Sequence, residues 1–343
     1  MRSLPPRLLG SLVTLLLLAG CAQPTAPGAP STEPELPFAG LPLLLPCAGM
    51  TGTSLAFSAL SGSGDFVDIY GVTAAGEVVA FTDDGKSSYP AFSPDSKSLV
   101  FARAATRKGS AGSPPPSTSL WTMDTNGGNE RKIVDILNAE VPSYSPDGSM
   151  IAFMGVAEAE AVSLGYRIHL MSADGTDIRR VTDESVDGLP ESDPTWSPDG
   201  TELAFVRTGS RNGESVSQLW SLALASGAER LLHETTSEGG LFDLSWAPSG
   251  DSLLFTVRSE SGFGRTAVHL NVVTGELTRA AESVTAVAHS PGSSGDIVFF
   301  TTRDGSGLQV TDTSEATAGP TVLAGPEVTP LSRIAVAPCK GDN

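Results

Sequence analysis

The sequence predicts an all-β protein: one six-bladed β-propeller of four-stranded antiparallel blades, closed three strands plus one between its N- and C-terminal segments. Three observations predict it. A Ser-Pro turn recurs along the chain, a phenylalanine follows it at a fixed distance, and no window sustains a helical period.

The turn comes first. Phe92-Ser93-Pro94-Asp95, Tyr144-Ser145-Pro146-Asp147-Gly148 and Trp196-Ser197-Pro198-Asp199-Gly200 are close copies of one another. Trp246-Ala247-Pro248-Ser249-Gly250 and His289-Ser290-Pro291-Gly292 are looser copies, and Val336-Ala337-Pro338 is the last. Their prolines are 52, 52, 50, 43 and 47 residues apart. Phe101, Phe153, Phe205 and Phe255 each follow their proline by seven residues, and Phe299 follows by eight, after a Gly-Ser-Ser-Gly insertion. This is a period with internal register.

Each copy parses into four strands. The first ends at the aromatic residue before Ser-Pro, and Pro-Asp-Gly supplies a tight turn because Pro presets φ while Asp and Gly tolerate turn geometry. The second strand carries the phenylalanine, as over 99–103, 150–154, 202–206 and 252–257. Long loops follow at 104–119, 156–165, 208–217 and 259–265. A third strand lies at 120–124, 168–172, 219–223, 268–272 and 308–312, then a Gly-containing turn and a short fourth strand. Four-stranded units of this length in tandem are propeller blades. The N-terminal segment holds strands at 54–59, 68–73 and 78–81 with no Ser-Pro strand before them, and the C-terminus holds one at 332–338 with nothing after it. Together these fragments complete one blade, which makes six.

The pattern Ser-Pro-Asp-Gly-x-x-apolar-Ala-Phe, followed by an apolar strand and an Asp-Gly turn, resembles the WD40-like (PD40) repeat of the TolB family, over most of residues 54–338. In that family the propeller sits in the periplasm, belongs to the Tol–Pal envelope system and binds a peptidoglycan-associated lipoprotein at the mouth of its channel. The resemblance implies the fold, and with it an envelope protein that binds another protein.

The N-terminal stretch reads as an export signal. Arg2 and Arg7 precede an apolar run over 8–18, and Leu18-Ala19-Gly20-Cys21 follows. That tetrapeptide resembles the lipobox of bacterial lipoproteins, which implies a signal peptide over 1–20 and lipidation of Cys21. Residues 21–46 then form the lipidated cysteine and a Pro-rich tether with seven prolines, a composition that buries no core and reaches at most roughly 75 Å. The propeller occupies 47–343. The partner at this end is the membrane, met through the lipid, and Ala22 points to the outer membrane of a two-membrane cell.

Formal charge is −18, and loss of Arg2 and Arg7 with the signal takes it to −20. Phosphate recognition needs clustered Lys and Arg, so nucleic acid is excluded as a partner. No pair of the four histidines stands at metal-ligand spacing, and Asp95, Asp147 and Asp199 serve turns of separate blades. His289 takes the place held by Phe92, Tyr144, Trp196 and Trp246 in sister copies, which marks a packing residue. No Gly-x-Ser-x-Gly elbow is present. Neither cofactor, metal nor catalytic residue is expected. A partner is expected instead on the face bearing the long loops and the acidic junctions Asp183, Glu184, Asp187, Glu191 and Asp193, and Glu234, Glu238 and Asp243. The expected partner is a protein, and the alternative is a glycan bound or processed at the same face.

With Cys21 lipidated, Cys47 and Cys339 remain, an even number in an exported chain. Cys339 follows Pro338, where sister blades turn into their second strand, and Cys47 shortly precedes that strand. A Cys47–Cys339 disulfide is expected across the break. In the chain-entropy model it stabilises by about 5–6 kcal/mol at most.

Overall fold

The computed structural model describes residues 53–60, 67–73, 78–105, 117–134, 137–156, 165–182, 188–236, 240–258, 264–289, 297–302, 308–312, 321–324 and 329–336. The chain divides into two units, Met1–Leu41 and Pro42–Asn343, and every described residue belongs to the second. Cys21, Cys47, Cys339, Asp183, Glu184, Asp187 and Glu238 lie outside the described residues.

The described residues form twenty-three strands, all paired antiparallel, in a β-propeller of four-stranded blades. The first sheet orders β1 (Thr53–Leu60), β2 (Val67–Thr73) and β3 (Val78–Ala80) outward, with β23 (Thr329–Val336) on the inner side of β1. Leu55 stands opposite Val336, and Leu60 opposite Thr329. Next comes β4 (Ser87–Phe92), β5 (Ser98–Ala104), β6 (Thr118–Asp124) and β7 (Arg131–Val134). The third sheet is β8 (Leu137–Tyr144), β9 (Met150–Val156), β10 (Arg167–Ser172) and β11 (Arg179–Arg180). The fourth is β12 (Glu191–Trp196), β13 (Glu202–Arg211), β14 (Glu214–Ala223) and β15 (Ala228–Thr235).

The rest departs from the expected pattern. Instead of six four-stranded sheets the described residues form five sheets, four of four strands and one of seven, because β16 (Leu241–Trp246), β17 (Ser252–Arg258), β18 (Arg265–Asn271), β19 (Leu277–His289), β20 (Ile297–Thr302), β21 (Leu308–Asp312) and β22 (Thr321–Ala324) share a single sheet. The cause is β19. Its Leu277–Val284 part lies on β18 and its Val284–His289 part on β20, so Val284 pairs on both sides. Its thirteen residues include no Gly or Pro, so nothing ends the strand where Gly188-Leu189-Pro190 or Gly239-Gly240 separates other units. A second difference concerns 208–217, expected as a loop. There β13 and β14 continue to a two-residue Asn212-Gly213 turn with φ of 55° and 84°. Positive φ at both central residues suits the right-handed twist of a hairpin.

The core lies between sheets. In β13, Leu203 and Phe205 pack toward Ile168 and Leu170 of the preceding sheet. Ala204 and Val206 pack toward Leu253 and Phe255 of the following one. A strand with both faces covered reads as an apolar run, and the period-2 alternation decides which neighbour each side chain meets. Phe57, Phe101, Phe153, Phe205 and Phe255 are all at most 1% exposed, so the repeated phenylalanine is the wedge between blades. Another such cluster joins Ala286 and Ala288 of β19 to Leu55, Phe57 and Ile334 of the first sheet.

Each Ser-Pro-Asp turn is held by one serine. Ser145 Oγ donates to Asp147 Oδ1 (2.6 Å) and accepts from Met150 N (2.9 Å), while Asp147 Oδ1 accepts from Ser149 N (3.0 Å). Ser197 and Asp199 repeat this with Glu202 N and Thr201 N, and Ser93 and Asp95 with Ser98 N and Lys97 N. The turns also nest. A methyl group on Gly148 would stand 3.4 Å from Pro94 Cδ, and one on Gly200 3.6 Å from Pro146 Cδ. Both glycines have φ near +73°, so only a residue without Cβ fits at low cost.

Truncation of a wedge tests this arrangement. Phe205→Ala should lower stability by about 3–5 kcal/mol, read as a shifted urea midpoint at unchanged slope. A loss below about 1 kcal/mol would show that the neighbouring blades close over the gap.

Candidate functional site

The inner strands converge on a cavity of about 420 Å³. The final residue of every inner strand lines it: Phe92 of β4, Tyr144 of β8, Trp196 of β12, Trp246 of β16, His289 of β19 and Val336 of β23. Pro94, Pro146, Pro198 and Pro248 of the turns form its rim. Among the described residues no Asp, Glu, Lys or Arg side chain lines it, although the chain carries a net charge of −18. Sequence reasoning placed these aromatic positions as inner-strand packing and looked for a site at the opposite, long-loop face. The signal for the cavity was present nonetheless: five strand-end rings at one register, on strands whose last three residues carry no charge.

A repeated irregularity shapes this wall. Three residues before four of the terminal rings, Tyr89, Val141, Asp193 and Asp243 adopt φ of 51–57°, and the register to the second strand slips there. These bulges bend the inner strands around the channel. Asp tolerates that conformation locally, whereas β-branched Val141 is strained in it. Cross-strand bonds tie the bends together: Tyr89 N donates to Ser58 Oγ (2.9 Å), Asp243 N to Asp193 Oδ1 (3.3 Å) and His289 N to Ser245 Oγ (3.1 Å).

Among the described residues, Trp246 Nε1 and both ring nitrogens of His289 on this wall meet no hydrogen-bond partner. His289 is 4% exposed, and its ring centre lies 5.3 Å from that of His269. Burial, and then the charge of His269, pushes its pKa from the ordinary 6.5 down to about 4. It is neutral at pH 7. Burial lowers His169 and His233 as well. Among the described residues, no three His, Cys, Asp or Glu side chains could hold a metal ion together.

The four expected binding-face acids within the described residues have structural partners. Glu191, expected on an exposed junction, is fully buried. Its carboxylate accepts from Ile168 N (3.1 Å), from the Thr182 hydroxyl and from Arg207 (3.0 Å). It therefore ties the third sheet to the fourth. Arg207, 4% exposed, also meets Glu229 at 2.8 Å and lies over the ring of Trp220 at 4.7 Å. Arg103 repeats the device with Asp84, Glu130 and Trp121. Asp243 is 5% exposed and pairs with Arg265 at 2.7 Å. Glu234 pairs with Arg211 at 2.5 Å and with Gln218. Asp193 accepts from the Asp243 backbone, as above. Sequence spacing missed these pairings because each arginine sits on the second or third strand, 16 to 23 residues from its acid.

Two outcomes follow from these groups. Glu191→Gln leaves Arg207 short of a buried counter-charge and should cost about 3–5 kcal/mol of stability, measured by urea unfolding. For His289, the unfolded chain takes up a proton below about pH 6.5 that the folded chain refuses until about pH 4. Stability should therefore fall as pH drops through that window, by about 3 kcal/mol from this group. His289→Phe, the residue found at the matching position 92, should flatten that part of the fall. An unchanged pH slope would assign the loss elsewhere.

No family model matches the chain. It is 34% identical over 84 residues to the Tol-Pal system protein TolB of Zymomonas mobilis, covering 24% of this chain and 16% of that protein. It is 31% identical over 109 residues to an uncharacterized peptidase of Bacillus subtilis, covering 29% of this chain and 14% of that protein. The chain spans less than half the length of the curated relatives it matches. Among solved structures, TolB from Acinetobacter baumannii superposes with a TM-score of 0.62 at 18% identity, over 86% of this chain and 69% of that one. The fold is that of a TolB-like β-propeller.

Proposed function

We propose that this protein is an envelope-anchored, non-catalytic propeller that binds a protein partner at the end of its central channel. The observation that carries this reading is the cavity walled by strand-end rings and free of charged side chains. An apolar concavity of this size with few polar groups is the usual form of a recognition site. The TolB-like fold and the partial identity to TolB support an envelope setting. Lipidation at Cys21, in the Leu-Ala-Gly-Cys context, supplies the anchor in this reading, with the outer membrane as its place. In this reading β23, on the inner side of β1, latches the ring three strands plus one. A Cys47–Cys339 bridge reinforces that latch, and non-reducing peptide mapping reads it directly.

Filling the cavity tests the reading. Ser143→Trp on β8 and Ala91→Phe on β4 place bulk inside the wall from two strands. Both variants should lose the envelope protein that wild type captures after crosslinking, while melting temperatures stay within about 5 °C. Retention of that protein by both variants would overturn the reading. Glycan-array binding abolished by the same substitutions would favour a saccharide ligand instead.

A further inference from the structure

The cavity wall carries no charge, but the ground just outside it does. Asp95, Asp147 and Asp199 follow rim residues Pro94, Pro146 and Pro198 directly, and all three are exposed. Asp95 has Lys97 at 3.5 Å, whereas Asp147 and Asp199 have no cation partner among the described residues. The next two copies of the turn carry Ser249 and Gly292 after their prolines, so in sequence the carboxylate at this position belongs to three successive turns. Their bonds to the preceding serine hydroxyls, and then to backbone N–H groups, hold the Asp147 and Asp199 pKa values below the usual range, so both stay ionised in mild acid. The turn needs their side-chain oxygen but not their charge, since asparagine accepts the same N–H bonds.

Within the cavity a charged occupant would lose its hydration against a wall with nothing to pair it. Trp246 Nε1 and the His289 ring, both more than nine-tenths buried, are the polar groups of that wall without a partner. A peptide segment brings carbonyls and N–H groups that those two rings can meet once they turn toward it.

Resting on the recognition reading above, we propose that the partner presents an extended segment in which an apolar residue enters the cavity and flanking Lys or Arg residues meet Asp147 and Asp199. The neighbouring cleft gives such a segment a path. It shares Trp246, Pro198 and Pro248 with the cavity and runs past Asp199 and Glu202 to Val273, which is 83% exposed.

Three blocked peptides probe this: Ac-Lys-Phe-Lys-NH2, Ac-Gly-Phe-Gly-NH2 and Ac-Glu-Phe-Glu-NH2. Binding is followed by the indole N–H resonances, with that of Trp246 identified by its loss in Trp246→Phe. At low salt the lysine peptide should bind at least about fivefold more tightly than the glutamate peptide, and the gap should narrow as salt rises. In Asp147→Asn/Asp199→Asn the gap should shrink to within about twofold, with the glycine peptide unaffected and melting unchanged. Equal binding of the lysine and glutamate peptides, or a gap that survives the double substitution, overturns this inference while leaving the cavity as the binding site. Failure of all three peptides to shift Trp246 overturns it too. The recognition reading itself then stands or falls on the Ser143→Trp and Ala91→Phe captures.

Discussion

The serine hydroxyl of the Ser-Pro-Asp-Gly turn is the contact on which the rest depends. It donates to the aspartate two residues on and accepts the N–H that opens the second strand. That one group fixes where the inner strand stops and where the second begins. The strand-end ring is thereby aimed into the channel, and the phenylalanine seven residues after the proline falls between blades. Each turn then sets the next, because the glycine of one lies against the proline of its predecessor. A rim built this way is collective: no single turn can shift without pressing on its neighbour.

Charge is distributed by the same geometry. Carboxylates near the blade junctions are taken up by arginines on the second and third strands, several of them stacked on a ring, as Arg207 is on Trp220 and Arg103 on Trp121. Glu191 and Arg207 are both nearly inaccessible, so their attraction acts in a low dielectric and joins two sheets where hydrophobic contact alone would not fix the register. The strongly negative composition therefore does not produce a uniformly acidic surface. Among the described residues the cavity wall is neutral, the junction acids Glu191, Glu234 and Asp243 are compensated, and part of the rim is left negative.

Much of the fold was legible because its determinants are local and repeated. Proline spacing and the seven-residue offset located the strands at 98–104, 150–156, 202–211 and 252–258 to within a few residues at their inner ends. What was not legible depends on absences or on distant partners. β19 runs on because Gly and Pro are missing from Leu277–His289, and a missing breaker is a weaker signal than a present one. The hairpin at Asn212-Gly213 was announced by a strong dipeptide that the surrounding polar residues obscured. Glu191 looked like a loop acid because nothing nearby in sequence reveals Arg207. The rings at 92, 144, 196, 246 and 289 were read correctly as inner-strand residues. That their ends enclose open space depends on how far apart the strands stand, which no single repeat encodes.

The pairing of β1 with β23 has a consequence for how the chain acquires its structure. Leu55 meets Val336 across nearly the whole length of the described chain, whereas the other ladders join strands close in sequence. Loop-closure entropy opposes such a contact until the intervening blades have formed and brought the ends together. During synthesis, the inner edge of β1 has no partner until β23 arrives. That edge carries the apolar sequence Leu-Ala-Phe, a template for pairing with another chain if the wait is long. Assembly of the first sheet is therefore the last event of folding, and the interval before it is when the chain is most exposed to aggregation.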